Sequence, residues 1–179
     1  MVLTMAMVSY LAMATGLGKA WIPMPYHHDD ASNFRFYREL FYARSIDWLF
    51  TTPLLLLSLC FIAGLSPYET LLAILADVFM IVTGLMSSFV GARWSDGERA
   101  KWAWYAVSCA GFLYIFWILF RGGFKAVADK PKKTRGLFVL LSTMTFALWC
   151  AYPIVFALGE GTNKISADAE IIAYGILDV

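Results

Sequence analysis

Charge is what this sequence of 179 residues has least of. Asp, Glu, Lys and Arg together make up 15% of it, against about 25% in an ordinary soluble domain. Neither sign dominates: 14 Lys and Arg face 13 Asp and Glu, for a net charge of +1. That argues against a nucleic-acid-binding arm and against any strong demand for an anionic partner. Cysteine is also sparse. Cys60, Cys109 and Cys150 sit widely spaced inside apolar runs, which gives neither a disulfide framework nor a metal motif. They read as small buried hydrophobes. There is no repeat of fixed period and no low-complexity tract. Met1 opens directly on apolar sequence, without the basic stretch that begins a secretory signal peptide.

Apolar residues are abundant instead. They make up 60% of the chain, and the mean hydropathy is +0.66. A bilayer core of ~30 Å needs about 20 apolar residues in a helix. Blocks of that length run at Met1–Trp21, Phe41–Ala63, Thr70–Val90, Trp102–Phe120 and Leu137–Leu158, and a shorter one begins near Ala169. The reading is a multi-pass integral membrane protein of the plasma membrane or an internal membrane, with five spans and a stub. Because the last block stops in mid-pattern, we expect residues 1–179 to be a single transmembrane domain from the middle of a longer protein. A first helix would precede it and most of a last helix would follow.

The connections differ in character. Ile22–Leu40 is long, Gly64–Glu69 short and turn-like, Gly91–Lys101 mixed in charge and Gly159–Asp168 polar. Arg121–Gly136 carries six basic residues and one acid. The positive-inside rule puts that loop in the cytoplasm. Alternation then places Gly64–Glu69 inside and the other three connections outside.

Ionisable residues at membrane depth cost about 2.5–3.5 kcal/mol on insertion scales and are functional candidates by default. Here they are Asp47, Asp77 and Asp178, with Arg44 near a helix end. A snorkelling or structurally paired side chain is the plainer alternative. Arg44, Asp47, Thr51 and Ser58 fall on one helical stripe. Asp47 and Thr51 are i, i+4 neighbours, so the hydroxyl is expected to bond the carboxyl group. Trp149, Tyr152, Pro153 and Phe156 form a second stripe, and Glu170, Tyr174 and Asp178 a third. An aromatic stripe alone is ordinary packing. Aromatics facing carboxylates on two other helices suggest a pocket for a long conjugated ligand, and leave a cationic one open. Two buried carboxylates near one Arg would titrate together. Glu160 and Glu170, near the outer surface, would hold a shared proton or be plain solvated loop acids.

The run Ala43–Leu57 (ARSIDWLFTTPLLLL) resembles the third helix of microbial (type 1) rhodopsins. Tyr10–Gly16 (YLAMATG) resembles the end of the second helix and Asp77–Gly84 (DVFMIVTG) the fourth. Trp104, Tyr105, Ser108 and Cys109 fit the fifth, Trp149–Pro153 (WCAYP) the sixth, and Glu170–Val179 the start of the seventh. The wording is closest to fungal and related eukaryotic proton pumps of the bacteriorhodopsin type. The resemblance implies an all-α seven-transmembrane-helix bundle, of which this chain covers about helices two to the start of seven. It also implies all-trans retinal as chromophore in a lipid bilayer. A trimer-like homo-oligomer stays open, and no enzyme activity is implied.

Carried over residue by residue, Asp47 is similar to the primary counterion and proton acceptor, and Asp178 to the second counterion. Arg44 is similar to the gate below them, and Glu160 and Glu170 to the proton-release pair. Trp48, Thr51, Thr52, Met80, Gly84, Ser108, Cys109, Phe112, Trp149, Tyr152, Pro153 and Phe156 match the retinal pocket. Asp77 matches the acid that bonds Thr52, and Leu55 the position where leucine accompanies green absorption. Two departures stand out. The retinal-bearing lysine would fall three residues beyond Val179, and the seven lysines present lie in or beside loops. Ser58 occupies the place of the cytoplasmic proton donor, a carboxylic acid in most pumps, so slow reprotonation is expected. The resemblance favours a light-driven outward proton pump. A sensory photoreceptor is the second reading and a lysine-lacking opsin-related membrane protein the third. Asp47 fills the site where a chloride pump would need an anion.

Overall fold

The computed structural model describes residues 2–23, 37–90 and 97–178. Most of the Ile22–Leu40 connection and the first part of Gly91–Lys101 lie outside the described residues. The described chain forms α1 (Val2–Ala14), a hairpin of β1 (Ala20–Pro23) and β2 (Tyr37–Leu40), α2 (Tyr42–Ala63) and α3 (Pro67–Val90). It continues through α4 (Gly97–Val127), α5 (Lys132–Gly161) and α6 (Ala167–Leu177). Helices α2 to α5 are each long and apolar enough to cross a bilayer.

Local chemistry sets the turns. Gly64 ends α2 in the left-handed region (φ 75°), and its N–H donates to the Cys60 and Phe61 carbonyls. Only glycine adopts that conformation without steric cost. Two residues on, Ser66 and Glu69 close a reciprocal cap at the start of α3. The Ser66 hydroxyl oxygen accepts from Glu69 N–H (3.2 Å), and Glu69 Oε2 accepts from Ser66 N–H (3.3 Å). Ser166 caps α6 in a similar way, by accepting from Ala169 N–H.

Three expectations from hydropathy need correction. The first apolar block is helical only to Ala14, not to Trp21. Gly16 and Gly18 take positive φ there, and Trp21 enters the hairpin opposite Glu39. The basic connection Arg121–Gly136 is mostly helix, because α4 runs to Val127 and α5 restarts at Lys132. Lys and Arg are good helix formers, and Pro131 marks the break. At its other end α5 continues through Gly161 as a wide π turn from Ala157, so the connection before α6 is shorter than read.

The tight core lies between α2, α3 and α4, where Leu56, Leu59, Cys60, Ala73, Ile115, Ile118 and Leu119 are buried together. Other large apolar side chains point outward: Phe61 is 71% exposed and Phe120 67%. An outward apolar surface on long helices is what a bilayer solvates. This is an integral, multi-pass membrane protein.

Gly123 lies in a second π turn, Leu119–Gly123, where a Cβ would come within 2.6 Å of Phe138 Cζ. We expect Gly123→Ala to cost about 1–3 kcal/mol through overpacking. Gly136→Ala, where a Cβ meets nothing within 4 Å, should be neutral or stabilising. Thermal denaturation of the two variants side by side checks this.

Candidate functional site

A cavity of ≈ 560 Å³ opens between the helices, walled mainly by apolar and aromatic side chains. Every pocket residue anticipated from the sequence lines it except Asp77. From α2 come Asp47, Trp48, Thr51, Thr52 and Leu55; from α3, Met80 and Gly84; from α4, Ser108, Cys109 and Phe112. From α5 come Trp149, Tyr152, Pro153 and Phe156, and Asp178 follows the end of α6. The walls brace one another. Trp48 meets Tyr152 edge-on at 4.9 Å, and Tyr105 stacks on Phe156 at 5.3 Å. The Ser108 hydroxyl donates to the Met80 carbonyl at 2.8 Å.

Asp47, Asp178 and Glu160 all line the cavity, and the first two are unequal. Asp178 accepts three hydrogen bonds, from Tyr10 Oη (2.5 Å), Tyr152 Oη (2.6 Å) and Trp48 Nε1 (3.2 Å). Its donors come from α1, α5 and α2, so its charge is compensated on every side. Asp47 is buried, and its Oδ1 has no hydrogen-bond partner among the described residues. The Thr51 hydroxyl does not bond the Asp47 carboxyl group, contrary to expectation. It donates to the Asp47 main-chain oxygen at 3.0 Å. Inside a helix, back-bonding to the i−4 carbonyl is the nearest choice for a threonine hydroxyl.

Asp77 lies behind the wall, fully buried, with Oδ2 2.7 Å from the Thr52 hydroxyl. Thr52 Oγ1 is also 2.7 Å from the Trp48 carbonyl. One hydroxyl hydrogen serves only one of these acceptors. A neutral Asp77 that donates to Thr52 satisfies both contacts.

Arg44 lines the same cavity and reaches an acidic pair, Glu160 and Glu170, of which Glu160 is also in the lining. Its guanidinium lies 3.8 Å from the Tyr174 ring centroid, 3.2 Å from Glu170 Oε1 and 3.5 Å from Glu160 Oε1. Neither glutamate is a solvated loop acid: both are buried. The π turn at the end of α5 carries Glu160 inward, where it accepts a hydrogen bond from the Ser88 hydroxyl. Glu170 sits in the first turn of α6, where a carboxylate complements the helix dipole. Ser58 joins neither group. It is exposed, eleven residues further along α2, and its hydroxyl donates to the Leu54 carbonyl.

Four of the partners were not singled out from the sequence, Ser88 among them. Tyr10 was noted only within a run of similarity. Arg38, on β2, pairs with Glu170 at 2.6 Å. Lys101, placed beside a loop by the sequence, is buried and donates to the Glu160 main-chain oxygen at 2.8 Å. The signal available for each was a hydrogen-bonding or charged side chain in or next to a membrane-length block.

A protein-family model described as "Bacteriorhodopsin-like protein" matches residues 1–179. Opsin-1 of Neurospora crassa is 36% identical over 187 residues, covering 100% of this chain and 59% of that protein. Opsin-like protein carO of Fusarium fujikuroi is 39% identical, covering 97% and 55%. The chain therefore spans less than two thirds of the length of these relatives. Among solved structures, the light-driven proton pump LR (Mac) of Leptosphaeria maculans superposes with a TM-score of 0.92 at 42% identity. That match covers 99% of this chain and 73% of the other.

Proposed function

Since the chain belongs to the bacteriorhodopsin-like family of multi-pass, seven-helix membrane proteins, we propose that it binds retinal and works as a light-driven outward proton pump. In this reading residues 1–179 form one transmembrane domain. The basic residues around 121–135 mark its cytoplasmic end, so the hairpin and the Glu160–Glu170 pair face outside.

The residues present fit retinal. The cavity is apolar and aromatic, and the carboxylates of Asp47, Asp178 and Glu160 line it, Asp47 with an orphaned oxygen. When bound, retinal would supply light absorption and a proton-bearing cationic nitrogen. Asp47 is the proton acceptor, taking the proton on Oδ1. Asp178, held by three donors, fixes the orientation of Trp48 and Tyr152. Arg44 balances the charge between the cavity and the outer pair. Glu160 and Glu170 release a proton to the outside. Ser58 stands at the uptake position. The observation that carries this reading is the contrast between Asp178, which accepts three hydrogen bonds, and Asp47, whose Oδ1 accepts none. The less hydrogen-bonded oxygen is the better placed base.

Illuminated cells or vesicles holding the full-length protein should acidify the outer medium, and an uncoupler should abolish the change. Ser58 favours a second reading, a sensory photoreceptor with a slow cycle. A full colour cycle without any pH change would select it.

A further inference from the structure

The acidic pair at the hairpin end of the bundle has more fixed cations around it than a shared proton requires. We propose that Arg38 is a positioning residue that holds Glu170 as a fixed carboxylate and thereby confines the exchangeable proton of the cluster to Glu160. The proposal rests on the proton-transport reading and divides the labour within one of its sites.

Each oxygen of Glu170 has its own guanidinium. Arg38 Nη2 lies 2.6 Å from Oε2, and Arg44 Nη2 lies 3.2 Å from Oε1. A proton on either oxygen would remove the negative charge and weaken the charge-assisted hydrogen bond from that oxygen's guanidinium. On the remaining side the α5 backbone closes in, because a Cβ at Gly159 would collide with the Glu170 carboxylate. Glu160 is placed differently. Its Oε1 is further from Arg44, at 3.5 Å, and its Oε2 meets the Ser88 hydroxyl. A serine hydroxyl both donates and accepts. Glu160 can therefore take up a proton, point it at Ser88 Oγ, and lose no partner. The Lys101 ammonium does not compete for this carboxylate, since it donates to the Glu160 main-chain oxygen.

Arg38 is itself locked. Its Nη1 donates to Asn163 Oδ1 (2.5 Å) and to the Ile165 carbonyl (2.9 Å). Asn163 holds a left-handed backbone conformation (φ 54°) to present that oxygen. One guanidinium from β2 thus fixes the α5–α6 connection and the first turn of α6 together. The groups facing the pair are Arg38 from β2, Arg44 from α2, Ser88 from α3, Lys101 from α4 and Tyr174 from α6.

When the site turns over, the O–H bond of Glu160 breaks, the proton passes to external water, and Glu160 is left as a carboxylate. Light-minus-dark infrared spectra of the full-length protein loaded with retinal test the assignment. The carboxylic-acid C=O band from this cluster should disappear in Glu160→Gln and persist in Glu170→Gln. If Glu160→Gln fails to assemble, Glu160→Asp should shift the band instead. Arg38→Gln should add a second band that is lost in the Arg38→Gln, Glu170→Gln double variant. Arg38→Lys, which keeps a cation beside Oε2, should keep a single band. A merely structural Arg38 would leave one band, on the same residue, in every Arg38 variant, and that result would overturn the proposal. So would a parent band that tracks Glu170, or no cluster band at all. Absence of external acidification with the expected band pattern intact would overturn the pump reading and leave the proton assigned to Glu160.

Discussion

In Asp47→Asn, light-driven proton transport falls by about 10²-fold or more, the scale of a lost general base, and absorption moves to longer wavelength. An amide at this position cannot accept the proton. The neighbouring Asp178 is a poorer acceptor, because it already accepts hydrogen bonds from Tyr10, Tyr152 and Trp48. The colour change has the same origin. A carboxylate beside the chromophore's cation stabilises the localised charge of the ground state more than the dispersed charge of the excited state. Removing it narrows the gap. Absorption spectra and vesicle acidification of the variant check both halves, and unchanged colour with undiminished transport would sink the assignment of Asp47.

The second large effect is expected at Ser58. It lies eleven residues from Asp47 along α2, which at ~1.5 Å per residue is about 16 Å. The groove beside it is lined by Leu54, Leu55, Leu57 and Phe61, none of which titrates. Ser58 has no proton to lend in the useful range, and its hydroxyl is turned back onto the Leu54 carbonyl. Protons from the inner side must then come from bulk water. Recovery of the dark absorbance should be slow, and slower still as pH rises and free protons become scarce. Ser58→Asp stores a proton on the protein and should speed recovery by about 10²-fold, with a flatter pH dependence. Flash spectroscopy over a range of pH checks this. A fast, pH-independent recovery in the unaltered protein would mean that another donor exists.

Much of this was legible in the sequence because it is carried by spacing within single helices. Of the stripe Arg44, Asp47, Thr51 and Ser58, a 3.6-residue period placed the first three side chains on one buried face, while Ser58 is exposed. The aromatic stripe of α5 was read the same way. What escaped was decided between elements. Nothing in the sequence around Arg38 says that β2 will deliver it 132 residues away to Glu170. Tyr10 becomes a partner of Asp178 only once α1 and the end of α6 lie side by side. Thr51 was misread for a local reason, since the backbone carbonyl four residues back lies nearer than the side chain. Helix ends were misjudged where polar composition hid continuing helix, at both ends of α5.

The closed turn between α2 and α3 has a consequence for how the chain enters a bilayer. Residues 64–66 join two apolar helices, and both ends of the turn are capped internally by Gly64 N–H and the Ser66–Glu69 pair. Few backbone groups are left there for water to satisfy, and an unsatisfied group in hydrocarbon costs several kcal/mol. The two helices can therefore leave the ribosome's translocation channel as one preassembled hairpin. Asp77 would then enter the lipid already facing Thr52 of α2.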